Sequence, residues 1–268
     1  MKKFKLGLVL SGGGTRGVAH AGALKFLAEK KIKPDILACC SAGSIVGALY
    51  AIGKTPQEIL AFFKSVYFFN WRHFTFNKPG FLSSLVFSDY LTPIFENMTI
   101  SDLEVDVRII ATELVSGEQK IFKGKNKVVD AVIASCSIPG ITVPYIVGDE
   151  MYSDGGVLNN FPADIIHQDC EKLIGVYVSP VQDVKIEDLQ SIKAVTTRAY
   201  ELMSHRTEIH KFSYCDWIIT SKKLASYGTF ERNASRLEEI FEIGYQAAKI
   251  SYDETMFKKD ILNKSKHL

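Results

Sequence analysis

The stretch ILACCSAGSIVGALYAIG, residues 36–53, decides how this chain folds. Its eighteen residues carry no charge and lie between Asp35 and Lys54. That is close to the ~20 apolar residues of a bilayer span, but the composition is wrong for one. Ser41, Ser44, Gly43 and Gly47 dilute the run, as do the adjacent Cys39 and Cys40. Gly43 and Gly47 have the GxxxG spacing of a transmembrane dimer face, yet small residues four apart also let a helix lie close on a sheet. Divided at Ser41, the stretch becomes a buried strand over 36–40 and a helix over about 42–52. Ser41 then occupies a strand-to-helix junction in a soluble chain.

The rest of the chain fits that division. With 268 residues, 47% of them hydrophobic, it can bury a substantial core. Its 32 basic and 30 acidic residues are spread throughout, for a net charge of +2. This leaves no electrostatic footprint for a nucleic-acid partner. Cys39, Cys40, Cys136, Cys170 and Cys215 are odd in number and lack CxxC spacing. Reduced, buried thiols are expected rather than a disulfide framework or a zinc site. Lys2 and Lys3 before an apolar run, with Ala19-His20-Ala21 behind it, imitate a signal peptide. Lys5 and a polar glycine loop containing Arg16 interrupt that pattern, so a mature N-terminal strand and a cytoplasmic location are expected. The sequons Asn97-Met98-Thr99 and Asn233-Ala234-Ser235 carry no meaning there.

The spacing predicts a strand over 4–10, a helix over 18–30 and a helix opened by Thr55-Pro56. Further along it predicts a central strand over 107–114 and a short helix from Pro162 to His167. A strand over 173–178 and a long helix over 186–211 come next. A closing helix over 233–251 aligns Leu237, Ile240, Phe241, Gly244, Ala247 and Ala248 on one face. Alternating strands and helices predict a mostly parallel sheet covered on both faces, in a single domain spanning 1–268. Residues 62–87 are the least regular part. They hold ten of the thirty aromatic residues, interleaved with Lys64, Arg72, His73 and Lys78. Such a stretch suits a lid, a membrane-facing surface or an irregular cap on the core.

Three places could carry chemistry. Gly12-x-Gly14-x-x-Gly17 lies between a strand and a helix, as a dinucleotide fingerprint does, and Asp35 is near the place of a ribose-binding acid. An NAD-dependent oxidoreductase is one reading. The same glycines ahead of Arg16 also offer free backbone amides to a developing oxyanion. Cys39-x-Ser41-x-Gly43 is the GxSxG nucleophile elbow with its first glycine replaced. A serine hydroxyl needs a base to take its proton. Asp154 before Gly155-Gly156 is the leading candidate, since the two glycines leave room around its carboxylate. His167, His205 or His210 could complete a triad, although none has a local signature.

Together these segments resemble the patatin-like phospholipase family, especially its short bacterial members. Residues 11–17 are similar to that family's glycine-rich block, 39–43 to its GxSxG, and Asp154-Gly155-Gly156 to its DGG or DGA element. Residues 111–114, 134–140 and 152–162 extend the resemblance, which covers roughly 5–180. Ser11 stands where Asp is common, and Cys39 where Gly is common. The resemblance implies a three-layer α/β/α fold related to the α/β-hydrolases and a Ser41–Asp154 dyad without histidine. It also implies an oxyanion hole at Gly12, Gly13 and Gly14. Arg16, Gly43 and Gly155 would be supporting residues. The implied substrate is a lipid or other acyl ester, no metal or organic cofactor is implied, and the aromatic and basic residues of 62–87 would suit peripheral contact with a membrane. A non-catalytic lipid-binding descendant and a transacylase are the neighbouring alternatives.

Overall fold

The computed structural model describes residues 2–66, 79–181, 183–229 and 231–254. Its strands are β1 (Phe4–Leu10), β2 (Ile36–Cys40), β3 (Asp106–Glu113), β4 (Gln119–Phe122), β5 (Tyr145–Val147), β6 (Glu150–Asp154), β7 (Cys170–Tyr177) and β8 (Trp217–Thr220). Its helices are α1 (Val18–Glu29), α2 (Ala42–Ala51), α3 (Pro56–Ser65), α4 (Val86–Phe95), α5 (Val128–Ser135), α6 (Ile192–Glu208) and α7 (Ala234–Glu254). All eight strands join one sheet. β3, β2, β1, β7 and β8 run parallel in that order, while β4 and the β5–β6 hairpin are antiparallel additions at β3.

Alternation along the strands divides the core in two. Leu8, Leu10, Leu37, Cys39, Val107, Ile109, Ile174 and Val176 face the side covered by α1, α2, α3, α4, α5 and α7. Val9, Ile36, Ala38, Leu173 and Tyr177 face a smaller cluster with Phe161, Ala163 and Ile166. Strands buried on both faces read as continuous apolar runs, as ILACC in β2 does. The closing helix buries Leu237, Ile240, Phe241 and Ala248 as its spacing predicts, against α1. The mostly parallel sheet between helical layers is the architecture expected from the sequence.

Two helices differ from expectation. From Pro162 to His167 there is only a 3₁₀ turn, Ala163–Ile165, because the chain must reverse within eight residues to enter β7 at Cys170. The long helix over 186–211 is broken in two places. Ser191 caps a fresh helix start by accepting the Ala194 N–H at 3.1 Å, and a 3₁₀ stretch, Ile209–Tyr214, succeeds α6. Thr55 and Glu58 do form the reciprocal capping box that opens α3. Of the irregular segment over 62–87, residues 67–78 lie outside the described residues.

The register around β3 brings two distant strand ends together. Ile109 to Thr112 pair with β4 along one edge of the strand, so every other partner must lie on the opposite edge. There β2 ends at Cys40 opposite Ile110, and β6, running the other way, ends at Asp154 opposite Ala111. Two strand ends that point at each other along the same edge bring Ser41 and Asp154 together, across 113 residues of sequence.

Candidate active site

Ser41 sits between the last residue of β2 and the first of α2 with φ 49° and ψ −125°. A side chain in that region of conformational space costs about 1–3 kcal/mol and persists only where its surroundings hold it. Here the holders are serines. The Ser41 N–H donates to Ser135 Oγ at 2.8 Å, and that hydroxyl donates onward to the Ile110 carbonyl at 2.6 Å. The Ser41 carbonyl accepts from the Ser44 N–H at 2.7 Å and from Ser44 Oγ at 2.6 Å. The turn needs close contact behind it. Any side chain at Gly43 would run into the Leu10 and Ser11 carbonyls, and a side chain at Gly155 into the Ile110 carbonyl.

Cys39 is accommodated by a second small residue. Its thiol lies on the helix side of the sheet, and a Cβ at Gly47 would fall 2.5 Å from its sulfur. The bulk added at one position of the elbow is therefore absent at the helix residue facing it. Cys39, Cys40 and Cys136 are all buried free thiols whose pKa values burial pushes up, which keeps them protonated beside the serine.

The Ser41 hydroxyl donates to Asp154 Oδ2 at 2.6 Å. The other carboxylate oxygen accepts the Gly156 N–H at 2.7 Å, and the Cys40 thiol approaches it at 3.9 Å. The Asp154 backbone is fixed at both ends, its N–H on the Ser137 carbonyl and its carbonyl on Thr112 Oγ1. Burial raises the Asp154 pKa to about 6, against the opposing pull of its bonds from Ser41, Gly156 and Cys40. The supporting serines and threonine carry no motif of their own. Ser135 and Ser137 fall in a segment singled out from the sequence, but their roles need the fold to be seen.

The glycine loop reaches the serine from the end of β1. A Cβ at Gly12 would come within 3.1 Å of Ser41 Cβ, so the loop lies directly on the elbow. The three amides are not equivalent. Gly12, expected with its two neighbours at the oxyanion hole, donates its N–H to the Asn160 carbonyl at 3.0 Å. The amides of Gly13 and Gly14 have no acceptor among the described residues. Ala42 opens α2, so its N–H also has no acceptor within the helix, an amide that nothing in the sequence had singled out. Ser11, the departure from Asp, latches the loop to the neighbouring strand end by accepting the Val178 N–H at 3.0 Å. Arg16 braces the loop from within, Nε to the Gly13 carbonyl at 3.2 Å. Burial lowers the Arg16 pKa, and Glu201 and Tyr177 oppose that shift.

Asp35 does not fit a dinucleotide site. It precedes β2, about 17 Å of strand from the glycine loop, and its carboxylate accepts the Lys5 and Leu6 amides at 3.0 and 2.9 Å. Among the described residues, no histidine bonds to Ser41 or Asp154. His205 meets the Tyr177 hydroxyl at 3.0 Å, His167 stacks on Tyr214, and His210 packs edge-on to the same ring. A narrow cleft opens beside Ser41, walled by Ala42, Ile45, Phe63, Phe87, Cys136 and Ile138, with Gly14 at its edge.

The model of the patatin-like phospholipase family matches residues 8–167, a stretch that holds the serine, the aspartate and the glycine loop. The chain belongs to the patatin-like phospholipase family. Among curated relatives it is 32% identical over 171 residues to a patatin-like phospholipase domain-containing protein of Caenorhabditis elegans, covering 60% of this chain and 12% of that one. It is 26% identical over 294 residues to the neuropathy target esterase sws of Drosophila melanogaster, covering 94% of this chain and 20% of that one. Human patatin-like phospholipase domain-containing protein 6 is 26% identical over 283 residues, covering 91% and 20%. The chain thus spans a fifth or less of the length of these patatin-like relatives. The crystal structure of VipD from Legionella pneumophila shares the fold, with a TM-score of 0.61 and 11% identity over 94% of this chain and 67% of that one.

Proposed function

We propose that this patatin-like protein is a serine acyl hydrolase that cleaves carboxylic esters of lipids through Ser41 and Asp154. The observation that carries the reading is the 2.6 Å bond from a strained serine to a buried carboxylate, beside an apolar cleft. Ser41 Oγ attacks the ester carbonyl carbon while its proton passes to Asp154 Oδ2. The oxyanion so formed is held by the amides of Gly13 and Gly14, with Ala42 as a third donor, an effect worth about 3–4 kcal/mol per donor. As the intermediate collapses, the alcohol leaves with the proton from Asp154 and the acyl group stays on Ser41. Asp154 then takes a proton from water, the hydroxide attacks the acyl-enzyme, and the acid departs as the proton returns to Ser41. Asp154 suits both halves, because a carboxyl titrating near 6 can accept and return a proton near neutrality.

The acyl chain would enter the cleft between Phe63 of α3 and Phe87 of α4. Phe81 (72% exposed) and Leu85 (55%) stand in the segment leading to Phe87 and would meet the lipid surface. In this reading the whole chain forms one domain, with Phe63 and Phe87 at the mouth of the site. Ser41→Ala is expected to abolish hydrolysis of short-chain chromogenic esters, and Asp154→Asn to lower kcat by about 10³-fold or more with the fold intact. Circular dichroism checks the fold, and full activity in either variant would refute the dyad.

A further inference from the structure

The amide of Gly12 is held by the Asn160 carbonyl, and Asn160 is itself held from outside the family-matched stretch. Glu208, at the end of α6, is 1% exposed and accepts the backbone N–H of Asn160 on Oε1 at 3.1 Å and that of Phe161 on Oε2 at 3.0 Å. Lys211, also buried, donates to Glu208 Oε2 at 2.9 Å and to Asn159 Oδ1 at 2.7 Å. Asn159 in turn donates to Gln119 and Asp164, and its N–H returns to the Gly155 carbonyl, one residue after Asp154. A buried ion pair therefore grips the backbone that joins the aspartate turn to the glycine loop.

We propose that Glu208, neutralised by Lys211, is a positioning residue for the oxyanion site, setting the Gly13 and Gly14 amides against Ser41 through Asn160 and Gly12. A buried pair of this kind gives little net stability compared with an apolar pair, but removing one member strands the other. What the pair supplies here is geometry. It fixes two adjacent amides, and the carbonyl of Asn160 between them and the loop sets where Gly12 lies on the elbow. Small displacements of a preorganised donor lower the rate with little effect on ground-state binding, and a misplacement of 1 Å can cost about 10²-fold. The inference rests on the ester-hydrolase reading.

The test compares Glu208→Gln, Lys211→Met and Ser251→Ala in steady-state ester hydrolysis, fluorophosphonate labelling and thermal melts. Ser251 accepts from Trp217 Nε1 at 2.9 Å far along the chain from the elbow, and serves as a purely structural control. Glu208→Gln is expected to lower kcat by about 10- to 100-fold with KM within about twofold, and to slow labelling in parallel. Lys211→Met should fall in the same direction, and Lys211→Arg should recover much of the loss. Ser251→Ala should keep kcat at a temperature well below its melting midpoint. Wild-type kcat and labelling in Glu208→Gln, or an equal kcat loss in Ser251→Ala, would overturn the proposal. Should Glu208→Gln fail to fold, unchanged kcat in folded Lys211→Met would do the same. Absence of hydrolysis and labelling in the wild type would instead sink the ester-hydrolase reading beneath it.

Discussion

At the scale of single residues, Asp154 concentrates two opposed requirements. As the proposed base it must be ionised to accept the Ser41 proton, yet its surroundings bury it to 4% exposure and so disfavour the charge. The expected consequence is a kcat/KM for a soluble ester that rises with pH through about 6 as Asp154 loses its proton, then levels off. A rate independent of pH between about 5 and 7.5 would contradict the assignment. The choice of Ser135 and Ser44 around Ser41 obeys the same logic. A strained φ of 49° survives because the Ser41 N–H and carbonyl both have short, buried partners, which no single sequence motif announces.

At the scale of elements, the elbow is a contact between β2 and α2, and Cys39 packs closely against Gly47 there. Gly47→Ala should destabilise the protein by about 1–3 kcal/mol through overpacking, measured by urea unfolding. Cys39→Gly in the same chain should recover part of that loss; simple additivity of the two substitutions would show that they do not share the space. The segment before α4 makes a different prediction. Replacing Phe81 and Leu85 together by serine should lower hydrolysis of phospholipid in vesicles by about 10-fold while leaving short soluble esters nearly unaffected, since neither side chain lines the cleft. Equal loss on both substrates would count against a lipid-facing role.

At the scale of the whole molecule, two buried groups give stability opposite dependences on pH. Burial lowers the His20 pKa to about 4, so the unfolded chain binds this proton first and stability falls as pH drops from about 6.5 to 4. The folded pKa of Asp154 is raised, so its contribution is present below about 4 and is lost as pH climbs to about 6. Each shift corresponds to about 3 kcal/mol at about 1.36 kcal/mol per unit, and across this window the two offset each other. Asp154→Asn should therefore be at least as stable as the wild type at about pH 8 and lose stability more steeply on acidification, as read by urea midpoints at about pH 4.5 and 8. A variant less stable at the higher pH with an unchanged acid slope would refute this balance. The sequence by itself determined the alternation of buried strands and helices, the serine at a junction and the glycine loop, because periodicity and small-residue spacing are local properties of the chain. It singled out Asp154 as the leading partner for Ser41, on the resemblance as well as on its Asp-Gly-Gly turn, and treated the three loop glycines alike. Only the tertiary structure decided what lies against each of them. Opposed strand ends on one edge of β3 bring Asp154 to Ser41, and the Asn160 carbonyl accepts the Gly12 N–H while the Gly13 and Gly14 amides keep no acceptor among the described residues. Such pairings join residues more than a hundred positions apart, and nothing local encodes them.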